Sequence, residues 1–472
     1  MSMLIRQHPR TQWAIALTAG CYATAVALMP NWTAAIALIL PLVAGPLLFW
    51  LLAAPARWIG AFLAAALLLP PLPIEIGNSG PHPALAIAAL GIAAGLLRFG
   101  EWRFRPDLLT GSLGLFLAVL LASVGMALLS SGFAVGLASL ARVFLFAISV
   151  YVFLYARWGP GAASPFAFRK ALRWLFGAAV AAAAFACVDF YFQFPAPAGY
   201  GPQFVWLDTG VFRRAQGLFY EASTLGNFCA FFLIMVANAL LRPPADRPLF
   251  PRWALIAGGG VLALALILSY SRASVLNCAA AFCMLLFLHR NRVNLRRVAA
   301  VGAGCLAGGA ILAALLFPGF AELYWMRLSL SAQNFFTATE GILSGRLASW
   351  RLLVGFLAGH PWFAVIGVGY KTLPYSDFIG QQIVGDNMYL TLLVETGITG
   401  LAALGFLLWG ILRASWTAAH HGNPRAAFLG AWLFAFWIGQ LVQMLSGDLL
   451  TYWRVLPVYF WVLAIAVREA DA

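Results

Sequence analysis

Apolar runs close to 20 residues long recur along almost the whole chain, separated by short polar or proline-rich breaks. A run of roughly 17–25 apolar residues is what an α-helix needs to cross the hydrocarbon core of a bilayer. Inside lipid every backbone N–H and C=O must be satisfied by the protein itself, so repeated runs of this length fold as helices. They fall near 13–29, 33–54, 57–73, 81–98, 108–129, 133–156, 171–193, 222–241, 253–270, 273–289, 298–317, 388–412, 427–446 and 452–467. The expected class is all-α: a polytopic membrane protein with about 14 transmembrane helices. A composition of 63% hydrophobic and 9% charged residues excludes a soluble globular domain. Pro70-Pro71-Leu72-Pro73 and Pro243-Pro244 punctuate the runs. The first run follows Arg6 and Arg10 but has no clear small-residue cleavage site, so it reads as an anchor. The six cysteines lie in apolar runs without metal-binding spacing and read as small core residues.

The net charge of +14 does not call for nucleic acid, because membrane proteins collect Arg and Lys in cytoplasmic loops. With the N-terminus inside, alternate loops hold 20 of the 29 Arg and Lys, from Arg6 to Arg468. Both termini are therefore expected in the cytoplasm. The other nine are Arg142, Arg213, Arg214, Arg272, Arg327, Arg346, Arg351, Lys371 and Arg454. They face outward against that trend, together with most of the acids: Asp189, Asp208, Glu221, Glu322, Glu340, Asp377, Asp386, Glu395 and Asp448. The middles of the spans are almost free of charge, which argues against an ion-coupled transporter. Chemistry at the outer surface fits better.

The chain divides into an N-terminal scaffold of spans (1–200), spans with outer arginine loops (201–317), a long outer loop (318–387) and C-terminal spans (388–472). In the long loop, Leu343, Leu347, Trp350, Val354 and Leu357 recur at helical spacing with Arg346 and Arg351 off the stripe. Such an amphipathic helix prefers the membrane–water boundary. Gly367-Val368-Gly369-Tyr370 follows, where the glycines permit positive φ or close backbone approach. Asp386-Asn387 stands at the mouth of the next span.

Three constellations could carry chemistry. Arg213-Arg214 precede Gly217 and Glu221 at the entrance to a helix. Arginine suits bidentate phosphate binding, though an Arg–Glu pair could simply fix the loop. Ser269-Tyr270-Ser271-Arg272 forms a tight outer hairpin in which Arg272 either meets an anion or snorkels. In the long loop Arg346 and Trp350 could lie over a lipid-linked substrate, with Lys371, Asn387 and Tyr389 nearby in sequence. Asp386 is either a reactive carboxylate or the N-cap of the helix starting near Met388. Glu395, inside an apolar run, is expected to pair with an outer arginine. His360 before Pro361 reads as a turn residue. No metal-binding, Walker or nucleophile-elbow pattern occurs, and no cofactor is called for.

Arg214 with Gly217-Leu218-Phe219, Ser271-Arg272, Gly345-Arg346 with Trp350, Pro361 with Gly367-Val368-Gly369, then Asn387, Tyr389-Leu390, Glu395 and Gly397 resemble the O-antigen polymerase and ligase superfamily over roughly residues 200–405. The resemblance implies a helical bundle like that of the GT-C glycosyltransferases, in the bacterial inner membrane, working at the periplasmic face. It implies metal-independent, inverting transfer from a glycan on undecaprenyl diphosphate to a lipid-linked glycan or a lipid A core. A chain-length regulator is a possible protein partner. Arginines, here Arg213, Arg214, Arg272 and Arg346, would hold the diphosphate, and Trp350, Lys371, Asn387 and Tyr389 would face substrate. The family's usual base is a His preceding Asn, but here Asp386 precedes Asn387. The base is then Asp386 or Glu221. That departure tilts the reading toward a polymerase of exopolysaccharide or O-antigen, with a ligase next and a lipid-linked oligosaccharide transporter behind.

Overall fold

The computed structural model describes residues 57–72, 80–160, 165–196, 203–207, 210–242, 250–291, 346–376 and 379–471, besides a few isolated positions. The chain divides into two compact units, Met1–Trp58 and Ile59–Ala472, and the candidate site lies within the second. The helices are α1 (Arg57–Leu68), α2 (Pro83–Leu97), α3 (Leu108–Ser131), α4 (Phe133–Trp158), α5 (Pro165–Phe192), α6 (Ala222–Leu241), α7 (Arg252–Leu268), α8 (Arg272–Leu288), α9 (Arg346–Gly359), α10 (Phe363–Ile366), α11 (Met388–Ala419), α12 (Pro424–Gln443) and α13 (Leu456–Asp471). Among the described residues six helical segments are long and apolar enough to cross a membrane: Leu108–Ser131, Phe133–Trp158, Lys170–Phe192, Ala222–Leu241, Met388–Ala419 and Pro424–Gln443. The apolar helices α1, α2, α7 and α8 are shorter. The expected spans 13–29, 33–54 and 298–317 fall almost entirely outside the described residues. Chain ends and turns follow local chemistry. Asp107 caps α3 by accepting from the Thr110 N–H at 2.8 Å, and Gly132, at φ 85°, reverses the chain into α4.

The described residues are helical as expected, with one short hairpin besides. Phe204–Leu207 (β1) and Gly210–Arg213 (β2) pair as an antiparallel hairpin, with Phe204 opposite Arg213. Aromatic and β-branched residues on both sides of a Gly are the ordinary hairpin signal. The amphipathic stripe also shifts. In α9 the buried residues are Leu353 and Phe356, which pack on Val368, Leu373, Ile383 and Val394. Val354 is 55% exposed, and Arg346 shares the packed face with Trp350 and Leu353 instead of lying off it. Burying a Leu or Phe is worth about 1.5–3 kcal/mol, so the cluster sets the rotation of α9 against helical periodicity read alone. Leu343 lies outside the described residues. The cysteine expectation holds for Cys229, which is buried, but Cys187 and Cys278 are half-buried and Cys283 is exposed.

Helix α3 packs against α4 and α11, α4 against α13, and α12 against α8, α11 and α13, with α6 and α7 completing the bundle. Phe231 of α6 binds the centre: its ring centroid lies 4.3 Å from Trp432, 4.4 Å from Tyr459 and 4.8 Å from Phe436. The two ends of the bundle differ. At the basic end Arg157 bridges Asp107 (2.6 Å) and Asp471 (2.9 Å), Arg468 donates to the Ala156 carbonyl and Arg242 to that of Pro424. The opposite end gathers the β-hairpin, the Ser269–Ser271 turn, residues 346–387 and the α12–α13 connection.

Candidate functional site

The site end is built on a buried amide layer. Asn227 Nδ2 donates to Gln440 Oε1 (2.6 Å) and Gln443 Oε1 (2.7 Å). Asn277 Nδ2 donates to the same two oxygens at 3.1 and 2.7 Å. Tyr459 donates to Asn227 Oδ1 (2.6 Å), and Gln443 Nε2 to Ser274 Oγ (3.2 Å). These uncharged groups tie α6, α8, α12 and α13 together where lipid-level burial makes each hydrogen bond hard to forgo. Sequence reading counted charges and missed them; the signal was four amides inside apolar runs.

Above this layer α6 begins at Glu221, which occupies the N-cap. Ser223 Oγ donates to Glu221 Oε2 at 2.8 Å. Ser274 Oγ reaches the Ser223 carbonyl at 3.3 Å, which brings the start of α8 to the start of α6. Gly226 makes this approach possible, because a Cβ there would lie 2.8 Å from both Ser269 Oγ and Ser274 Oγ. Arg272 opens α8 directly after Ser271, whose hydroxyl caps the helix. Arg214 leaves the β-hairpin and donates from Nε to the Ser269 carbonyl at 2.9 Å. Thus the end of the hairpin at Arg214, the start of α8 at Arg272 and the start of α6 at Glu221 come together around one turn. Arg213 points elsewhere. Its Nη2 donates to both oxygens of Asp189 (2.7 and 2.8 Å), its Nη1 to the Phe194 carbonyl, and it is buried.

The long loop supplies the other wall. Arg346 Nε meets Asp386 Oδ2 at 3.2 Å. Asp386 is not the helix cap: Asn387 is, accepting from the Leu390 N–H at 3.1 Å. Tyr389 donates to the Leu441 carbonyl (3.0 Å), tying α11 to α12. Trp350 is half-buried beside Arg346's helical turn, and its Nε1 has no bonding partner among the described residues. Lys371 is buried and forms an ion pair with Asp448, which also accepts from the Leu450 N–H (2.9 Å). Glu395 lies 1% exposed in α11 and is acted on by Lys371, a lysine where sequence reading expected an arginine. His360 bonds back to the Phe356 carbonyl at 3.3 Å and closes a turn, as its position suggests. Asp208, Glu322, Arg327, Glu340 and Asp377 lie outside the described residues.

These charges act on one another. Burial raises the pKa of Glu221; the nearby negative charges of Asp448 and Asp386 add to this, while the Ser223 hydrogen bond and the Lys371 charge oppose it. Burial alone would lower Lys371, but the Asp448 and Glu395 charges outweigh it and hold the ammonium protonated. The arrangement is a carboxylate of raised pKa acted on by Lys371 and Asp386 of the long loop, on a helix start that the segments carrying Arg214 and Arg272 approach. Such a pairing can take a proton on one side and stabilise an anion on the other.

No curated protein matches the chain. Residues 257–405 match the family model described as O-antigen ligase. The match shares its C-terminal limit with the stretch of resemblance and includes Arg272, Arg346, Lys371, Asp386, Asn387 and Glu395, while Arg213, Arg214 and Glu221 precede it. It supports function of the O-antigen ligase and polymerase type in general, and with it a place for this membrane protein in the O-antigen polymerase and ligase superfamily.

Proposed function

We propose that the chain polymerises a bacterial surface polysaccharide, transferring a glycan from undecaprenyl diphosphate to a second lipid-linked glycan at the periplasmic face of the inner membrane. The observation that supports this reading is the approach of the segments carrying Glu221, Arg214 and Arg272 around the Ser269–Ser274 turn, with Asp386, the partner of Arg346, acting on Glu221. That Arg157, Arg242 and Arg468 gather at one end of the bundle and Arg214, Arg346 and Lys371 at the other supports a periplasmic placement of the site end.

In this reading an acceptor hydroxyl gives its proton to the Glu221 carboxylate as its oxygen attacks the anomeric carbon of the donor. The bond from that carbon to the diphosphate oxygen breaks, and its electron pair leaves with the diphosphate. One in-line displacement inverts the anomeric centre. Arg214, Arg272 and Arg346 stabilise the departing charge, so the step calls for no metal. Glu221 is preferred to Asp386 as base because burial raises its pKa and so makes it a stronger proton acceptor, whereas Asp386 holds Arg346. Arg213, engaged by Asp189, fixes the hairpin that presents Arg214.

Transfer to a lipid A core is the second reading, favoured by the description of the matched family. Purified protein in lipid, given only its lipid-diphosphate oligosaccharide, separates the two. A ladder of products means the donor is also the acceptor and the protein is a polymerase. No ladder, but transfer once a lipid A core is added, means a ligase. Silence in both refutes the enzyme reading.

A further inference from the structure

Helix α11 is broken at Gly397, which adopts φ 70° and ψ −171°. The break leaves the carbonyls of Val394 and Glu395 to other donors, and the loop supplies them. The N–H of Val368 reaches the Val394 carbonyl at 3.0 Å, and that of Gly369 the Glu395 carbonyl at 2.8 Å. Both sides are glycine by necessity. A Cβ on Gly367 would sit 2.3 Å from the Glu395 oxygen, and one on Gly397 2.1 Å from that of Val365. The far side of this strap is fixed to α3, where Ser130 donates to the Val368 carbonyl (2.5 Å) and Gly369 abuts Ala127.

Lys371 then takes φ 56°, a left-handed conformation that a side chain rarely adopts. A turn of this kind directs successive N–H groups into a concavity that favours an anion. The N–H groups of Lys371 and Leu373 and the Lys371 ammonium all act on the carboxylate of Glu395. Neither of its oxygens has a partner in bonding geometry, so the hold is electrostatic and not a formed hydrogen bond. Burying a carboxylate without compensating charge costs several kcal/mol, so the Lys371 charge acting on it is stabilising.

We propose that Glu395 is a positioning residue, the internal anion of the strap, which keeps the Lys371 ammonium beside Asp448 and facing Glu221. The proposal rests on the reading of Glu221 as base only for its effect on catalysis; the placement of Lys371 stands apart from it. Several charged or titratable neighbours among the described residues enter the balance. Glu221 faces Lys371 and Asp386 from the loop and Asp448 and Tyr452 from the α12–α13 connection, with Ser223 on its own helix. Glu395 faces Lys371, Asp448 and Tyr370, and Arg142 of α4 acts on Lys371 and Tyr370.

The sequence offers a direct test, because its two lysines are Lys170 and Lys371. Lys170 is exposed and serves as the internal reference. Amine acylation of the full-length protein in lipid, read by mass spectrometry, should label Lys371 several-fold more slowly than Lys170. In Glu395→Gln the two rates should converge, and Glu395→Asp should restore the difference. Equal rates in the wild type, or an unchanged difference in Glu395→Gln, would overturn the proposal. Asp448→Asn is the second variant: with Glu395 intact Lys371 stays protected, and full loss of protection there assigns the hold to Asp448 and overturns the proposal. These measurements need no turnover, so their outcome is independent of whether the glycosyl-transfer reading survives. With turnover, the acid limb of kcat/KM in Glu395→Gln should move to higher pH, as in Lys371→Met, because Glu221 loses its cation. A move to lower pH would mean that Lys371 stays in place and Glu395 is only a like charge, which also overturns the proposal.

Discussion

The pair Arg213–Asp189 offers a sharp test, because sequence reasoning placed Arg213 on the diphosphate and the structure engages it elsewhere. Its side chain is 9% exposed and that of Asp189 4%, and the guanidinium also caps the end of the α5 segment through the Phe194 carbonyl. Arg213→Ala would leave the Asp189 carboxylate buried and unpaired, a change that costs about 3–5 kcal/mol. That is on the order of a hundred- to a few-thousand-fold in the ratio of folded to unfolded protein. Replacing both partners by apolar residues of similar volume, Arg213→Met with Asp189→Leu, is expected to be near neutral, since no buried charge remains. The assay is denaturant or thermal unfolding of the purified protein in detergent, with product laddering measured in parallel. The single variant should be strongly destabilised, and the double variant should recover both stability and turnover. A single variant within about 0.5 kcal/mol of wild type would refute the burial argument. A double variant that is stable but inactive would return Arg213 to the diphosphate site.

Further outcomes follow from the same geometry. Arg272→Ala and Arg214→Ala should abolish turnover while membrane insertion and unfolding midpoint stay near wild type; near-normal turnover in both would sink their assignment to the leaving group. Glu221→Gln should abolish turnover, whereas Asp386→Asn should keep part of it. Because Asp386 is one of the negative charges raising the Glu221 pKa, its removal should shift the acid limb of the pH–rate profile to lower pH. The base must be ionised, so activity is lost as pH falls through its pKa; an unmoved limb would exclude Glu221. Asn227→Leu strands the Tyr459 hydroxyl and leaves the Gln440 and Gln443 oxygens with Asn277 alone, and should cost about 1–3 kcal/mol, checked by the unfolding midpoint. Gly397→Ala puts a Cβ 2.1 Å from the Val365 carbonyl at a backbone conformation nearly exclusive to glycine, so it should cost upward of about 3 kcal/mol. Wild-type stability in that variant would mean that the strap is not seated on the break.

Much of this molecule was legible because its strongest signals are one-dimensional. Lipid imposes a length on each span, and that length is written as an apolar run; helices α3, α4, α6, α11 and α12 fall where such runs lie. Gly367 and Gly369 were legible for the same kind of reason. Positive φ leaves few alternatives to glycine, and the two adopt φ 74° and 115°. What failed depended on partners distant in sequence. The face of α9 could not be set by periodicity, since Leu353 and Phe356 are chosen by Val368, Leu373, Ile383 and Val394. Asp386 and Asn387 are both good caps by type, and only Arg346, 40 positions away in sequence, decides that Asn387 caps while Asp386 pairs.

The outward charges show how far such reading can go. Sequence reasoning counted Arg213, Arg214, Arg272, Arg346 and Lys371 among nine outward cations that oppose the positive-inside trend. The structure separates them by their partners. Arg213 and Lys371 are buried against Asp189 and Asp448, while Arg214 bonds a carbonyl of the turn that Arg272 follows. A buried cation with a carboxylate of its own has little field left for a ligand, because the pair is nearly neutral beyond its own dimensions. In the proposed reading the cations that meet the diphosphate are Arg214 and Arg272 at the turn, together with Arg346, whose partner Asp386 is 42% exposed. In that reading, charge opposed to topology marks the end of the bundle where chemistry belongs, and burial against Asp189 and Asp448 marks Arg213 and Lys371 as residues that build the site.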